Sequence, residues 1–251
     1  MSAPLFLLDA GTLAGVGPGD VVDLDGPEGH HAVTVSRMRS GQSILLADGS
    51  GALAACRIAE VGKGSLSATV DSVAVEPLPQ PRFTLIQALA KGDRDLLAIE
   101  VGTELGVDEV VPWEADRSIV RWRGDRAAKA QRKWQHTLVA ATKQARRSRV
   151  PALGSVADRS AVVQRIAVAD VALVLHESAT QPLSLIAPET LHTAGEVVLI
   201  VGPEGGISDD ELDAFVQAGA WAVLLGSTVL RTSTAGSAAI AVLSSLSRWR
   251  D

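Results

Sequence analysis

The chain has 251 residues, 47% of them hydrophobic, enough to bury one large or two modest cores without covalent staples. A single cysteine, Cys56, excludes an internal disulfide framework, and five scattered histidines offer no clustered metal-ligand spacing. That cysteine usage fits a reducing, cytoplasmic setting and the histidine spacing implies no metal, while no apolar run is long enough to span a bilayer; the formal net charge is −6.

From the amino end, residues 5–8 are apolar but lack a basic flank and are broken by Asp9, so they read as a strand and not a signal peptide. Further β-prone runs follow at 21–24, 32–35, 44–47, 52–59 and 66–75, separated by turn-forming glycines such as Asp48-Gly49-Ser50-Gly51 and Gly62-Lys63-Gly64. Short strands at this spacing predict a small β-barrel over residues 1–76. The tandem His30-His31 beside Gly29 is as consistent with a turn and strand start as with a contact surface.

Alternating prolines in Glu76-Pro77-Leu78-Pro79-Gln80-Pro81 sustain neither helix nor central strand and predict a stiff linker over 77–81. From residue 82 the pattern changes to alternating strands and helices: strands at 84–90, 109–112, 171–175, 197–201 and 221–225, and helices at 94–105, 127–147 and 234–248. That alternation predicts an α/β domain over 82–251 with a mostly parallel sheet covered by helices on both faces. The last helix is rich in small residues from Ala235 to Ala239, which permit close approach of another backbone or of a ligand.

Charge is unevenly distributed. Residues 117–149 hold eleven Lys and Arg against one acid, Asp125, for a local charge of +10, while the remainder carries −16. An acidic body with one basic stretch is what a polyanion-binding surface looks like in sequence. In the long helix, Trp134, Leu138, Ala141 and Ala145 make an inward stripe, and Lys129, Lys133, His136, Lys143 and Arg147 fall on another face. Lys91 and Arg94 flank the turn after residue 90 and either extend that surface or sit on a solvated loop.

The organising feature lies near the carboxyl end. One buried strand runs into Gly202-Pro203-Glu204-Gly205-Gly206, and another, expected to end beside it, runs into Gly226-Ser227-Thr228-Val229-Leu230-Arg231-Thr232-Ser233-Thr234-Ala235. Neither loop has the Walker or dinucleotide glycine spacing. Alone, the first reads as a tight turn before a helix whose first turn holds Asp209, Asp210 and Glu211. Two such loops together describe a ligand crevice at the carboxyl edge of a parallel sheet.

Those loops, with Lys91-Gly92-Asp93-Arg94, Thr103-Glu104-Leu105-Gly106-Val107 and Arg147-Ser148-Arg149-Val150-Pro151, resemble the SPOUT superfamily of RNA methyltransferases. Within it the match is to the RsmE family, which methylates uridine N3 in 16S ribosomal RNA. The resemblance implies a PUA-like RNA-binding barrel followed by a SPOUT domain with a C-terminal trefoil knot, the knot and cofactor site spanning about 171–240. It also implies S-adenosylmethionine as cofactor, a homodimer, and 16S ribosomal RNA or the small ribosomal subunit as partner. Its cofactor loops carry over to Leu175, His176 and Glu177; to Val201, Gly202, Pro203, Glu204, Gly205 and Gly206; and to Leu225, Gly226, Leu230, Thr232, Thr234 and Ala235. RNA contacts are expected from Arg37, Arg39, Lys91, Arg94, Arg117, Arg121, Arg123, Lys129, Lys133, Lys143, Arg147 and Arg149.

Methylating uridine N3 requires loss of its proton or stabilisation of the resulting charge. Arg231 is the candidate for charge stabilisation or base orientation, the other possibility being a structural bridge. Glu204 is either a proton acceptor or an organiser of the cofactor loop. The chain departs from the family pattern at Ser233, Val101 and Leu5, where glutamate, lysine and arginine are common. An enzyme acting on another RNA base or a ribose 2′-OH, and a non-catalytic RNA-binding assembly protein, are the alternatives.

Overall fold

The computed structural model describes residues 3–249, which divide into two compact units. The first takes the chain up to Leu78 together with Thr142–Val150; the second takes Pro79–Ala141 and the chain from Pro151 onward.

The first unit holds β1 (Leu5–Leu7), β2 (Val21–Leu24), α1 (Gly26–His30), a π-helical turn (His31–Val35), β3 (Ser43–Ala47), β4 (Ala52–Val61) and β5 (Leu66–Val75). Its sheet runs β1-β3-β4-β5-β2, with β1 parallel to β3 and the other pairs antiparallel. Because β1 and β2 are edges, the expected barrel is a half-barrel not closed by hydrogen bonds. Alternate residues of β3, β4 and β5 point inward, and Ile44, Leu46, Ile58 and Ala68 meet Phe6 and Leu24 in the core.

The strand expected at 32–35 is helical instead. Pro27 opens α1, whose chain runs directly into the π turn, and only Ala32 is buried while Val35 stands in solvent. Context there overrides the β-propensity of Val-Thr-Val. His31 packs edge-on against Phe6, and His30 Nδ1 lies 3.3 Å from Thr34 Oγ1, so both histidines have local structural partners.

The segment 142–150, which the sequence pattern places with the second domain, is stitched into the first unit. Lys143 Nζ pairs with Glu28 at 2.6 Å, Val150 N–H donates to Gly49 O at 3.0 Å, Ser148 donates to Glu76, and the Arg149 guanidinium donates to the Ser50 and Glu76 carbonyls.

The second unit contains β6 (Arg82–Ala88), α2 (Arg94–Glu104), β7 (Glu109–Trp113), α3 (Asp125–Gln144, its last three residues grouped with the first unit), β8 (Ala152–Leu153), α4 (Arg159–Val168), β9 (Val171–Leu175), β10 (Gln181–Pro182), α5 (Pro188–Thr193), β11 (Glu196–Val201), α6 (Asp209–Gln217), β12 (Trp221–Leu224) and α7 (Thr232–Leu246). All seven strands are parallel, in the order β10-β12-β9-β11-β6-β7-β8. β6, β9 and β11 are buried almost throughout, which is why they read as unbroken apolar runs. β9 lies between β11 and β12, so the two strands expected side by side are separated by a third.

The small residues of α7 serve packing. A Cβ on Gly236 would stand 3.0 Å from Leu85, and Ser237 Oγ donates to Ala98 O at 3.4 Å where α7 lies on α2. Just past its far end the half-buried Arg248 stacks on the Phe83 ring, pairs with Asp108 and donates to Gly106 O at 2.6 Å. Burial pushes the Arg248 guanidinium down in pKa, opposed by Asp108.

Candidate functional site

A cavity of about 640 Å³ opens in the second unit at the carboxyl ends of β9, β11 and β12. Leu175, His176 and Glu177 line it from the end of β9, residues 201–207 from β11, and residues 223–232 with Ala235 from β12 and the start of α7. Every residue expected in the cofactor loops borders this space except Thr234, which is exposed and instead donates its hydroxyl to Arg231 O at 3.2 Å. Arg94 and Arg117 add two cations to the lining.

The loop after β11 is held by side chains from three other places. Arg94 pairs with Glu204 Oε1 at 2.7 Å, and the backbone N–H of Lys91 donates to the same oxygen at 3.1 Å. Arg117 donates to Ile207 O at 3.2 Å and Gly205 O at 3.4 Å. Thr232 Oγ1, itself an acceptor from Gln87 Nε2 at 2.9 Å, donates to Gly202 O at 2.7 Å. Beyond the loop, Ser208 and Glu211 form a capping box on α6, and the fully buried Glu211 also accepts the Asp116 N–H at 2.7 Å.

The glycines of these loops have distinct physical reasons. A Cβ on Gly202 would meet Ile207 Cγ1 at 2.7 Å, and one on Gly205 would meet Arg117 Cβ at 3.1 Å, so both make room for protein. Gly226 has nothing within 4 Å of a Cβ; there the loop borders open space.

The two candidate catalytic residues differ sharply. Glu204 is committed. Burial acts to raise its pKa, but hydrogen bonds from its own backbone, from Arg94 and from the Lys91 N–H outweigh that and hold it below the ordinary glutamate value. A carboxylate so stabilised is a weaker proton acceptor and a better loop organiser. Arg231 is exposed at the cavity, and its guanidinium makes no hydrogen bond or ion pair among the described residues, so it does not act as a structural bridge within the unit.

His176 is fixed as a donor. Ser178 gives its backbone N–H to His176 Nδ1 at 3.2 Å, with the Ser178 hydroxyl 2.7 Å from the same nitrogen. A backbone N–H only donates, so in the neutral ring Nδ1 is bare and Nε2 carries the hydrogen. Among the described residues no group of three or more His, Cys, Asp or Glu could hold a metal ion.

Comparison with known proteins places this architecture. A family model described as an RNA methyltransferase domain matches residues 76–244, and one described as an RNA methyltransferase PUA domain matches residues 24–71. Ribosomal RNA small subunit methyltransferase E of Mycobacterium bovis is 44% identical across 99% of this chain and 94% of its own. The chain belongs to the ribosomal RNA small subunit methyltransferase E family. A methyltransferase E from Neisseria gonorrhoeae, solved bound to S-adenosyl methionine, is similar at TM-score 0.83 and 30% identity over 98% of both chains. A protein from Legionella pneumophila, solved in complex with bound SAM, gives 0.85 at 27% identity over 98% of this chain and 99% of that one.

Within this chain, the residues expected to meet RNA are not equivalent. In the first unit Arg37 and Arg39 are exposed, whereas Lys143 and Arg149 spend their charges on Glu28 and on backbone carbonyls, and the half-buried Arg147 is also engaged within the protein. In the second unit Lys91 and Lys129 are exposed; Lys133 pairs with Asp93 at 2.8 Å and Arg123 with Glu114 at 3.2 Å, while Arg121 donates to Asp116 O at 3.1 Å. Sequence reasoning missed Gln87 and gave Arg117 no part in the cavity. The signal for Gln87 was available, as a lone amide inside an apolar strand that is buried on both faces.

Proposed function

We propose that the chain transfers a methyl group from S-adenosylmethionine to N3 of a uridine in 16S RNA of the small ribosomal subunit, acting in the cytoplasm. The observation that carries this reading is the cavity itself, with a bound Glu204 on one wall and an uncommitted Arg231 on the other. Solved relatives that bind this cofactor support it.

The residues present fit such a cofactor. Leu175, Val201, Leu225 and Leu230 offer apolar surface for a flat ring, the loops offer backbone amides and carbonyls, and Glu177 and Asp209 offer negative charge to a cationic ligand. When bound, S-adenosylmethionine supplies an electrophilic methyl group on its sulfonium.

The protein's part is positioning and charge. In-line placement of the acceptor nitrogen can provide most of the rate. The imide proton of uracil must leave, and the negative charge then spreads over N3, O2 and O4. Arg231 is the group that meets this charge. Glu204, its basicity lowered by hydrogen bonds from its own backbone, from Arg94 and from the Lys91 N–H, keeps the loop shape, and His176 offers a hydrogen at Nε2. In this reading the lost proton passes to water. The exposed cations, Lys91 and Lys129 in the second unit and Arg37 and Arg39 in the first, contact RNA phosphates. The knotted threading and the homodimer belong to the same reading.

The decisive experiment supplies labelled S-adenosylmethionine to small subunits and to free 16S RNA, both lacking native modification, and identifies the product nucleoside by mass spectrometry. 3-Methyluridine is expected, with the assembled subunit preferred. Cofactor binding without label in either substrate would mean another RNA is the target. Sedimentation velocity tests the dimer.

A further inference from the structure

We propose that Gln87 is a positioning residue that acts through Thr232 to fix the carbonyl of Gly202, and with it the glycine-loop wall of the cofactor cavity. The inference rests on the cofactor reading above and assigns a role to a residue that does not border the cavity.

Three elements meet in this relay. Gln87 lies near the end of β6, 0% exposed and in register with Val201 of β11; Thr232 is the first residue of α7; Gly202 is the first residue beyond β11. The direction of each hydrogen bond follows from chemistry. The Gly202 carbonyl can only accept, so the single hydroxyl hydrogen of Thr232 is spent there, at 2.7 Å. Thr232 Oγ1 must then accept from Gln87, which presents its NH₂ group at 2.9 Å and donates also to Ala88 O at 3.2 Å. Turning the amide over would set an oxygen against two acceptors.

This orientation leaves Gln87 Oε1 buried without a partner. An orphaned buried carbonyl is unfavourable, and an apolar side chain of similar size would fill the position without one. The amide is thus poorly suited to packing and well suited to donating. Its hydrogen bonds tie the cavity loop to β6, the strand beside β11, while Arg94 at the start of α2 and Arg117 in the segment after β7 tie the same loop from elsewhere.

The test uses the full chain with Gln87→Met, Thr232→Val and Thr232→Ser. Thermal unfolding reports the fold, calorimetric titration reports affinity for S-adenosylmethionine, and methyl transfer reports kcat and cofactor KM. Gln87→Met and Thr232→Val are each expected to weaken cofactor binding and raise its KM roughly tenfold, the effect of about one lost hydrogen bond, with kcat reduced less than KM is raised. Thr232→Ser, which keeps the hydroxyl, is expected to bind as the unaltered protein does. The Gln87→Met/Thr232→Val double variant should be no worse than either single. Unchanged affinity in both singles, or no rescue by serine relative to valine, overturns the proposal. Should Gln87→Met fail to fold, the valine and serine variants decide alone. Failure of the unaltered protein to bind S-adenosylmethionine would instead refute the cofactor reading.

Discussion

The two walls of the cavity are built in opposite ways. Residues 202–207 are tied by Arg94, Arg117 and Thr232, with Pro203 and Ile207 buried. Residues 226–231 are all exposed, with Val229 at 77%, and none of their side chains makes a hydrogen bond among the described residues. One wall sets the shape of the site, and the other presents its uncommitted cation. A variant's effect should therefore depend on which wall it touches, more than on its distance from the cavity.

The largest contrast comes from glycine. Gly202→Val drives a side chain into Ile207 and is expected to destabilise the fold by about 1–3 kcal/mol and abolish cofactor binding, whereas Gly226→Ala should change stability by less than about 0.5 kcal/mol. Equal melting temperatures for the two would erase the distinction between the walls. Next, Arg231→Ala should lower kcat by roughly 10²–10³ with stability and cofactor affinity intact, the mark of a charge used in the transition state. Loss confined to cofactor affinity would move Arg231 from chemistry to binding.

A smaller effect is expected from the ion pair on the tied wall. Glu204 has a lowered pKa, so its tie to Arg94 is complete at neutral pH and is lost as pH falls through a value below the ordinary glutamate range. Cofactor affinity of the unaltered protein should fall there, while Glu204→Gln should bind roughly threefold more weakly at neutral pH and show no such acid step. Smallest of all, Lys129→Ala, far in sequence from either wall, should leave cofactor binding unchanged. It should reduce the slope of log RNA affinity against log salt by about one.

Much of this was legible in the sequence because buried parallel strands advertise themselves as apolar runs. β6, β9, β11 and β12 were each anticipated, and so was a crevice at the carboxyl ends of β11 and β12. The adjacency of β11 and β12 was not, because nothing in a strand's own residues names its neighbours, and β9 lies between them. The Val-Thr-Val run at 33–35 misled because propensity is local while the helix is set by the chain entering from Pro27. Lys143 and Arg149 looked like free cations, since their partners Glu28, Ser50 and Glu76 are separated from them by at least 70 residues. The three ties on the glycine loop were hidden for the same reason: each joins residues far apart in the chain.

That loop also has a thermodynamic consequence. Fixing one residue's backbone costs about 1–2 kcal/mol in conformational entropy, so ordering Gly202 through Gly206 amounts to roughly 5–10 kcal/mol. With its three ties in place, the protein has surrendered this freedom during folding. An incoming cofactor finds the wall already in shape and keeps more of its interaction energy as affinity. Among the described residues no side-chain tie of this kind holds the exposed rim at 226–231.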